Sequence, residues 1–221
     1  MRIGTWNVAG RWSSAHARLV ADVGADVWLL TEVPRHAELT GSVVAFTGAD
    51  MAPERAWAAV AVRAGLGNVD RHADPHPASV HVSVDDLHVC SSVLPWRSAG
   101  AAWPGDGHDV GSRTEAAVGQ LLRALPAGRT VWGGDWNHAL EGPETAGSAA
   151  GRTAIRTALE QLDLRAVTAD VPHRFDGLKG IDHIAVPTSA PPAEPARRVE
   201  MATDGRHLSD HDAYVTDIDW S

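Results

Sequence analysis

Cysteine, lysine, phenylalanine and tyrosine are scarce in this sequence, and no apolar run is long. Of 221 residues one is cysteine, Cys90. That excludes an internal disulfide and a cysteine-rich metal site, and it fits a reducing compartment. Lys179 is the only lysine, so arginine carries nearly all the positive charge. With 19 basic against 28 acidic residues the formal net charge is -9. No basic stripe follows a helix, which disfavours broad, salt-sensitive adhesion to a nucleic-acid backbone. A carboxylate-rich cleft holding a cation would reverse the local field, so a compact acidic site stays open. No run approaches membrane-spanning length, and "MRIGTWNVAG" lacks the apolar stretch of a leader. Membrane insertion is therefore not expected, and a cytoplasmic location is.

What is present is an ordinary globular balance, 44% apolar and 21% charged, enough for one substantial core; a single domain over residues 1–221 is expected. Nine tryptophans stand against two phenylalanines and one tyrosine. Trp28, Trp57 and Trp132 fall in apolar strands and read as core plugs. Trp12, Trp96 and Trp103 fall in loops, where they either plug the core edge or offer rings to bases.

Apolar periodicity predicts a helix from Ser13 or Ser14 to Gly24, a second over "RTEAAVGQLLRAL" and a third over Arg152–Gln161. Strands are predicted at "MRIGTWN", "ADVWLLTEV", Ser42–Phe46, Trp57–Val62, Ser79–Val84, Leu87–Leu94, "TVWGGDWN", "LRAVTAD", "GIDHIAVP" and "SDHDAYVTDIDW". Asp85-Asp86 marks a hairpin, and "SAPPAEPA" reads as a surface excursion. The Gly- and Pro-rich stretch "PWRSAGAAWPGDGHDVGS" is too long for a plain connector. Several strands follow one another between helices. This order suits an α/β fold, a four-layer sandwich of two packed mixed sheets flanked by helices, better than regular βαβ alternation.

Polar cargo gathers at the strand ends. Asn7 closes the first strand and Glu32 the second, Asp135 and Asn137 follow "VWGG", Asp182 opens "DHIAVP", and "SDH" supplies Asp210 and His211. On extended backbone i and i+2 share a face, so Asp135 and Asn137 are expected to project together beyond their strand. Gly133 and Gly134 are expected to let the backbone turn closely, with Asp135 and His211 on a solvent-facing rim.

In that order "TWN", "LLTE", "GDWN", "IDHI" and "SDH" resemble the endonuclease/exonuclease/phosphatase superfamily over nearly the whole chain. The resemblance implies hydrolysis of phosphoester bonds with a divalent cation, Mg²⁺ or Mn²⁺. It implies Glu32 as principal metal ligand, helped by Asn7 and Asp210. Asp135 would orient or deprotonate the attacking water, and Asn137 would hold its surroundings and donate to the phosphate. His211 would contact the phosphate with Asp182 holding its ring, as a general base or as a cationic donor.

The pattern departs in one place that matters. Where many members carry His or Tyr before a proline, "SSVLPWRS" has Val93 at the aligned position, and valine cannot donate to phosphate. Thr31 for glutamine and Trp136 for phenylalanine leave the mechanism untouched. Arg97, Arg113, Arg174 and Trp96 are candidate substrate contacts. The expected substrate is a phosphodiester in nucleic acid, DNA included, or a nucleotide. The alternatives are a phosphatase or diesterase of a small soluble substrate, of inositol phosphate or lipid headgroup type, and a catalytically inactive binding module. Oligomeric state is left open.

Overall fold

Alternating apolar residues on the longer strands bring two sheets face to face. The computed structural model describes residues 1–190 and 192–219. The first part of the chain forms β1 (Arg2–Asn7), α1 (Ser14–Val23), β2 (Val27–Pro34), β3 (Ser42–Phe46), β4 (Asp50–Ala52) and β5 (Arg55–Arg63). The middle forms β6 (Val69–Arg71), β7 (Ser79–Val84), β8 (Leu87–Ser92), α2 (Val110–Ala124) and β9 (Thr130–Asp135). The last part forms α3 (Ala149–Gln161), β10 (Leu164–Ala166), β11 (Asp182–Pro187), β12 (Arg197–Val199), β13 (Ala202–Thr203), β14 (Arg206–His207) and β15 (Ala213–Asp217).

The first sheet runs β12-β15-β1-β2-β5-β3, with β4 also on β5, and the second runs β10-β11-β9-β8-β7-β6. Both are mixed: β1 is parallel to β2 and β8 to β9, while the other pairs are antiparallel. Between the sheets, Ile3, Leu29 and Val60 meet Val89, Val131 and Ile184. Outside the first sheet, Val20 of α1 covers Trp6, Trp28 and Leu30. Outside the second, Leu121 of α2 and Ile155 of α3 cover Trp132. These three apolar layers separate four layers of secondary structure, as expected. Each fully buried aliphatic side chain contributes about 1.5–3 kcal/mol to this cohesion. Among the described residues no helix is long and apolar enough to cross a membrane.

Local signals explain the helix ends. Gly24 closes α1 with φ +65° and its N–H on the Val20 carbonyl. Two helices begin earlier than their apolar periods predict, because caps lie upstream. Asp109 and Ser112 form a reciprocal capping box for α2, and Ser148 accepts from the Gly151 N–H to start α3. The strand expected over Leu87–Leu94 stops at Ser92, and the last strand stops at Asp217. Beyond it Ile218 makes an isolated bridge with Pro192; Trp220, the expected end of the strand, lies outside the described residues, as does Pro191 in the predicted excursion. Trp28, Trp57 and Trp132 are buried as core plugs. Trp103 joins them, stacked on His76 and edge-on to Trp57.

The two glycines before Asp135 serve protein packing. A Cβ on Gly133 would lie 2.4 Å from the His183 carbonyl and 2.6 Å from Leu29 Cδ1 of the facing sheet. A Cβ on Gly134, whose φ is +121°, would lie 2.2 Å from the Ser92 carbonyl on β8. Glycine is required there for both conformation and space.

Candidate active site

The inner face of the sandwich ends in polar residues at one edge. On β1 the inward series is Ile3, Thr5, Asn7; on β9 it is Val131, Gly133, Asp135; on β11 it is Val186, Ile184, Asp182. Asp135 and Asp182 are direct partners in the β9–β11 ladder. Asn7 Nδ2 crosses between the sheets to donate to Asp135 Oδ2 at 2.9 Å and to Glu32 Oε1 at 3.1 Å. Its Oδ1 accepts from the Ala9 N–H. Asn7 is thus a clamp on two carboxylates.

Glu32 departs from the alternation of β2 with φ +53°, and Ala9 beside it has φ +51°. A non-glycine residue in this region costs on the order of 1–3 kcal/mol, tolerated when the surroundings over-determine it. The Glu32 carboxylate is held by Asn7 and by Arg55 Nη1, 3.3 Å from Oε2. Arg55 was missed in sequence. It stands two positions after Pro53, and only the antiparallel register that pairs it with Pro34 brings it beside Glu32.

His211 is delivered by the turn into β15. Ser209 Oγ donates to the Asn7 carbonyl and accepts from the His211 N–H, which ties this turn to the end of β1. The ring Nδ1 lies 2.7 Å from Asp182 Oδ2. Burial alone would lower the His211 pKa, but the charge and hydrogen bond of Asp182, with Asp135 and Asp210, raise it to about 10. The imidazole is then doubly protonated at neutral pH, and its Nδ1–H donates to Asp182. Burial, then the Asp182 charge, pushes Asp135 up to about 7, against the opposing pull of His211 and Asn7. Asp135 is 3% exposed, deeper than the solvent-facing rim expected for it.

The expected shared face of Asp135 and Asn137 does not form, because β9 ends at Asp135 and Asn137 is left-handed at φ +52°. Asn137 instead donates its N–H to Asp135 Oδ1 at 3.0 Å and its Nδ2 to the Leu94 carbonyl at 3.0 Å. Asp210 is exposed at the mouth. Val93 is buried, so no donor arises at that position.

The candidate substrate contacts are mostly engaged elsewhere. Arg97 donates to the Gly147 and Glu144 carbonyls, and Arg113 to the Gly107 carbonyl. Trp96 packs against the core with its ring 6.5 Å from that of Trp57. Arg174 lies over the ring of Phe175, an exposed aromatic that also stacks on His173. His173 is close enough to the dyad for the charges of Asp182 and His211 to act on its ring, although burial dominates its lowered pKa.

The donors at the mouth suit a hard cation. Glu32 and Asp210 offer carboxylate oxygen, and Asp182 Oδ1 is buried without a hydrogen-bond partner. Asp135, Asp182 and His211 also bring one ligand atom each within 4.8 Å of one another. The His211 Nδ1 is already engaged by Asp182, so this trio reads as a proton-handling group.

No family model matches the chain, and no curated protein matches it in sequence. Solved structures do. The endonuclease domain of TRAS1, a telomere-specific non-LTR retrotransposon, superposes with TM-score 0.71 at 18% identity, over 98% of this chain and 97% of that one. The 3′ phosphatase NExo from Neisseria, bound to product DNA hairpin, gives 0.67 at 18% identity over 100% of both chains. An endonuclease/exonuclease/phosphatase family protein from Leptotrichia buccalis gives 0.67 at 15% identity, again over 100% of both. By these likenesses and by its own four layers, the chain has the fold of the endonuclease/exonuclease/phosphatase proteins.

Proposed function

We propose that this chain is a divalent-metal-dependent hydrolase of phosphoester bonds, a nuclease or phosphodiesterase acting on nucleic acid, with residues 1–221 as one catalytic unit. The observation that carries this reading is the geometry at the sheet edge: Asp135 stands opposite Asp182 in the ladder and His211 Nδ1 lies 2.7 Å from Asp182 Oδ2, an arrangement that raises the pKa of His211 to about 10 and that of Asp135 to about 7. Such a carboxylate accepts a proton from water most effectively near pH 7. A cationic imidazole beside it neutralises charge on a phosphoryl oxygen. The fold neighbours support the substrate class, since one is an endonuclease domain and another was solved with a DNA product.

Each residue then has a role. Asp135 takes the proton of the attacking water. Asn7 and the Asn137 N–H orient its two oxygens. Asp182 fixes the ring of His211 so that Nε2–H faces the substrate. Glu32 and Asp210 would hold Mg²⁺ or Mn²⁺, which when bound supplies positive charge at a non-bridging phosphate oxygen. The loop of His173, Arg174 and Phe175 lines the substrate side. Arg97 and Arg113 brace loops.

A second reading, a small soluble phosphoester as substrate, draws on those braced arginines, which leave few cations for a long nucleic-acid footprint. One experiment separates the two. The protein is offered supercoiled plasmid, an abasic-site oligonucleotide and bis-p-nitrophenyl phosphate, with Mg²⁺, Mn²⁺ or EDTA. Metal-dependent cleavage of DNA, lost in Asp135→Asn, is expected. Turnover of the small diester alone supports the second reading, and no turnover of any substrate by folded protein overturns both.

A further inference from the structure

A second cluster of ionisable side chains lies outside the active site, on the far end of the second sheet. His81 on β7 and His88 on β8 point away from the layer that holds Val80, Val82 and Val89. His72, just past β6, folds over them, with its N–H on the His81 carbonyl. Each ring offers one nitrogen within 4.8 Å of the others. His72 and His81 stack at 4.4 Å, and His81 Nε2 lies 2.9 Å from His88 Nδ1. His88 is opposite Thr130, at the other end of β9 from Asp135, about 17 Å away at the rise of a strand. This cluster is not part of the catalytic constellation.

We propose that His72, His81 and His88 form a binding site for a borderline transition-metal ion of the Zn²⁺ class, with one coordination position left open. Three imidazoles are a donor set for such ions and a poor one for Mg²⁺, which selects oxygen. Tetrahedral ligands at 2.0–2.1 Å stand roughly 3.3 Å apart, so the His81–His88 contact needs to open by only a few tenths of an ångström. His72 Nε2 is 3.0 Å from the hydroxyl of Ser83, which holds the ring over the other two. His81 is buried. The flanking cations are already neutralised, Arg71 by Asp74 and Arg129 by Asp86.

The test is a calorimetric titration of the full chain with Zn²⁺ in excess Mg²⁺, paralleled by the visible spectrum of added Co²⁺. Wild type and Glu32→Gln are expected to bind one equivalent alike, with a tetrahedral Co²⁺ band. His88→Gln, and His72→Asn at a half-buried position that should not disturb folding, are expected to weaken binding at least tenfold and lose the band. No Zn²⁺ binding by wild type would overturn the proposal. So would binding that survives both histidine substitutions, or that disappears in Glu32→Gln.

Discussion

Asp135 and Asp182 stand directly opposite each other across the β9–β11 ladder, both sealed from solvent. Two like charges in that arrangement repel, and burial magnifies the repulsion. The arrangement holds because His211 supplies a positive charge to the pair and because Asp135 keeps a proton up to near neutrality. Most of the chemistry proposed for this chain follows from that opposition.

The pH dependence of hydrolysis should be bell-shaped. Activity rises as Asp135 loses its proton near pH 7 and falls as His211 loses its own near pH 10. Asp182 raises both values, so in Asp182→Asn both limbs should move to lower pH. A pH series of kcat/KM for the two proteins checks this, and a variant with unmoved limbs would refute the assignment.

Stability should carry the same signature. The His211 pKa is raised on folding, so its contribution is complete below about pH 6.5 and is lost as pH rises through about 10. Denaturant unfolding of wild type and His211→Gln should therefore differ most at the acidic end of this window and converge above it.

Asp135→Asn should lower turnover by roughly 10²–10⁴-fold, the usual worth of a positioned proton acceptor. The amide keeps the volume and removes one of two opposed carboxylates, but its NH2 must face either Asn7 Nδ2 or the Asn137 N–H; these effects oppose, so melting above pH 7 should change little. A variant that unfolds under mild conditions would make Asp135 a structural residue.

Arg55→Gln removes a cation 3.3 Å from Glu32 Oε2. The apparent Mg²⁺ affinity should tighten by about two- to fivefold, the range of a partly exposed ion pair. Metal titration followed by activity and by calorimetry measures it.

Gly134→Ala should be among the most damaging single changes in the sheet, at about 3 kcal/mol or more, because the new methyl meets the Ser92 backbone at a left-handed residue. Chemical denaturation of the purified variant, or its failure to express in soluble form, reads this out.

Much of this was legible along the chain because strand alternation is local. Ile3-x-Thr5-x-Asn7 shows which way Asn7 faces before any partner is known, and the same holds for Asp182 ahead of Ile184 and Val186. Glu32 could be placed at a strand end but not aimed, since its left-handed backbone is imposed by neighbours. Arg55 was hidden because its position depends on the pairing of β2 with β5. The strands of two or three residues, such as β13 and β14, are too short to display a period. Arg97 and Arg113 looked available because nothing in sequence reveals which carbonyls a loop will bring to them.

The bare backbone at Gly134 has a wider consequence. Because main chain lies on main chain there, and because Leu94 N–H bonds directly to the Asp135 carbonyl, the distance between the Leu94 and Asp135 backbones is independent of side-chain volume. Repacking of the surrounding interior can proceed without moving Asp135.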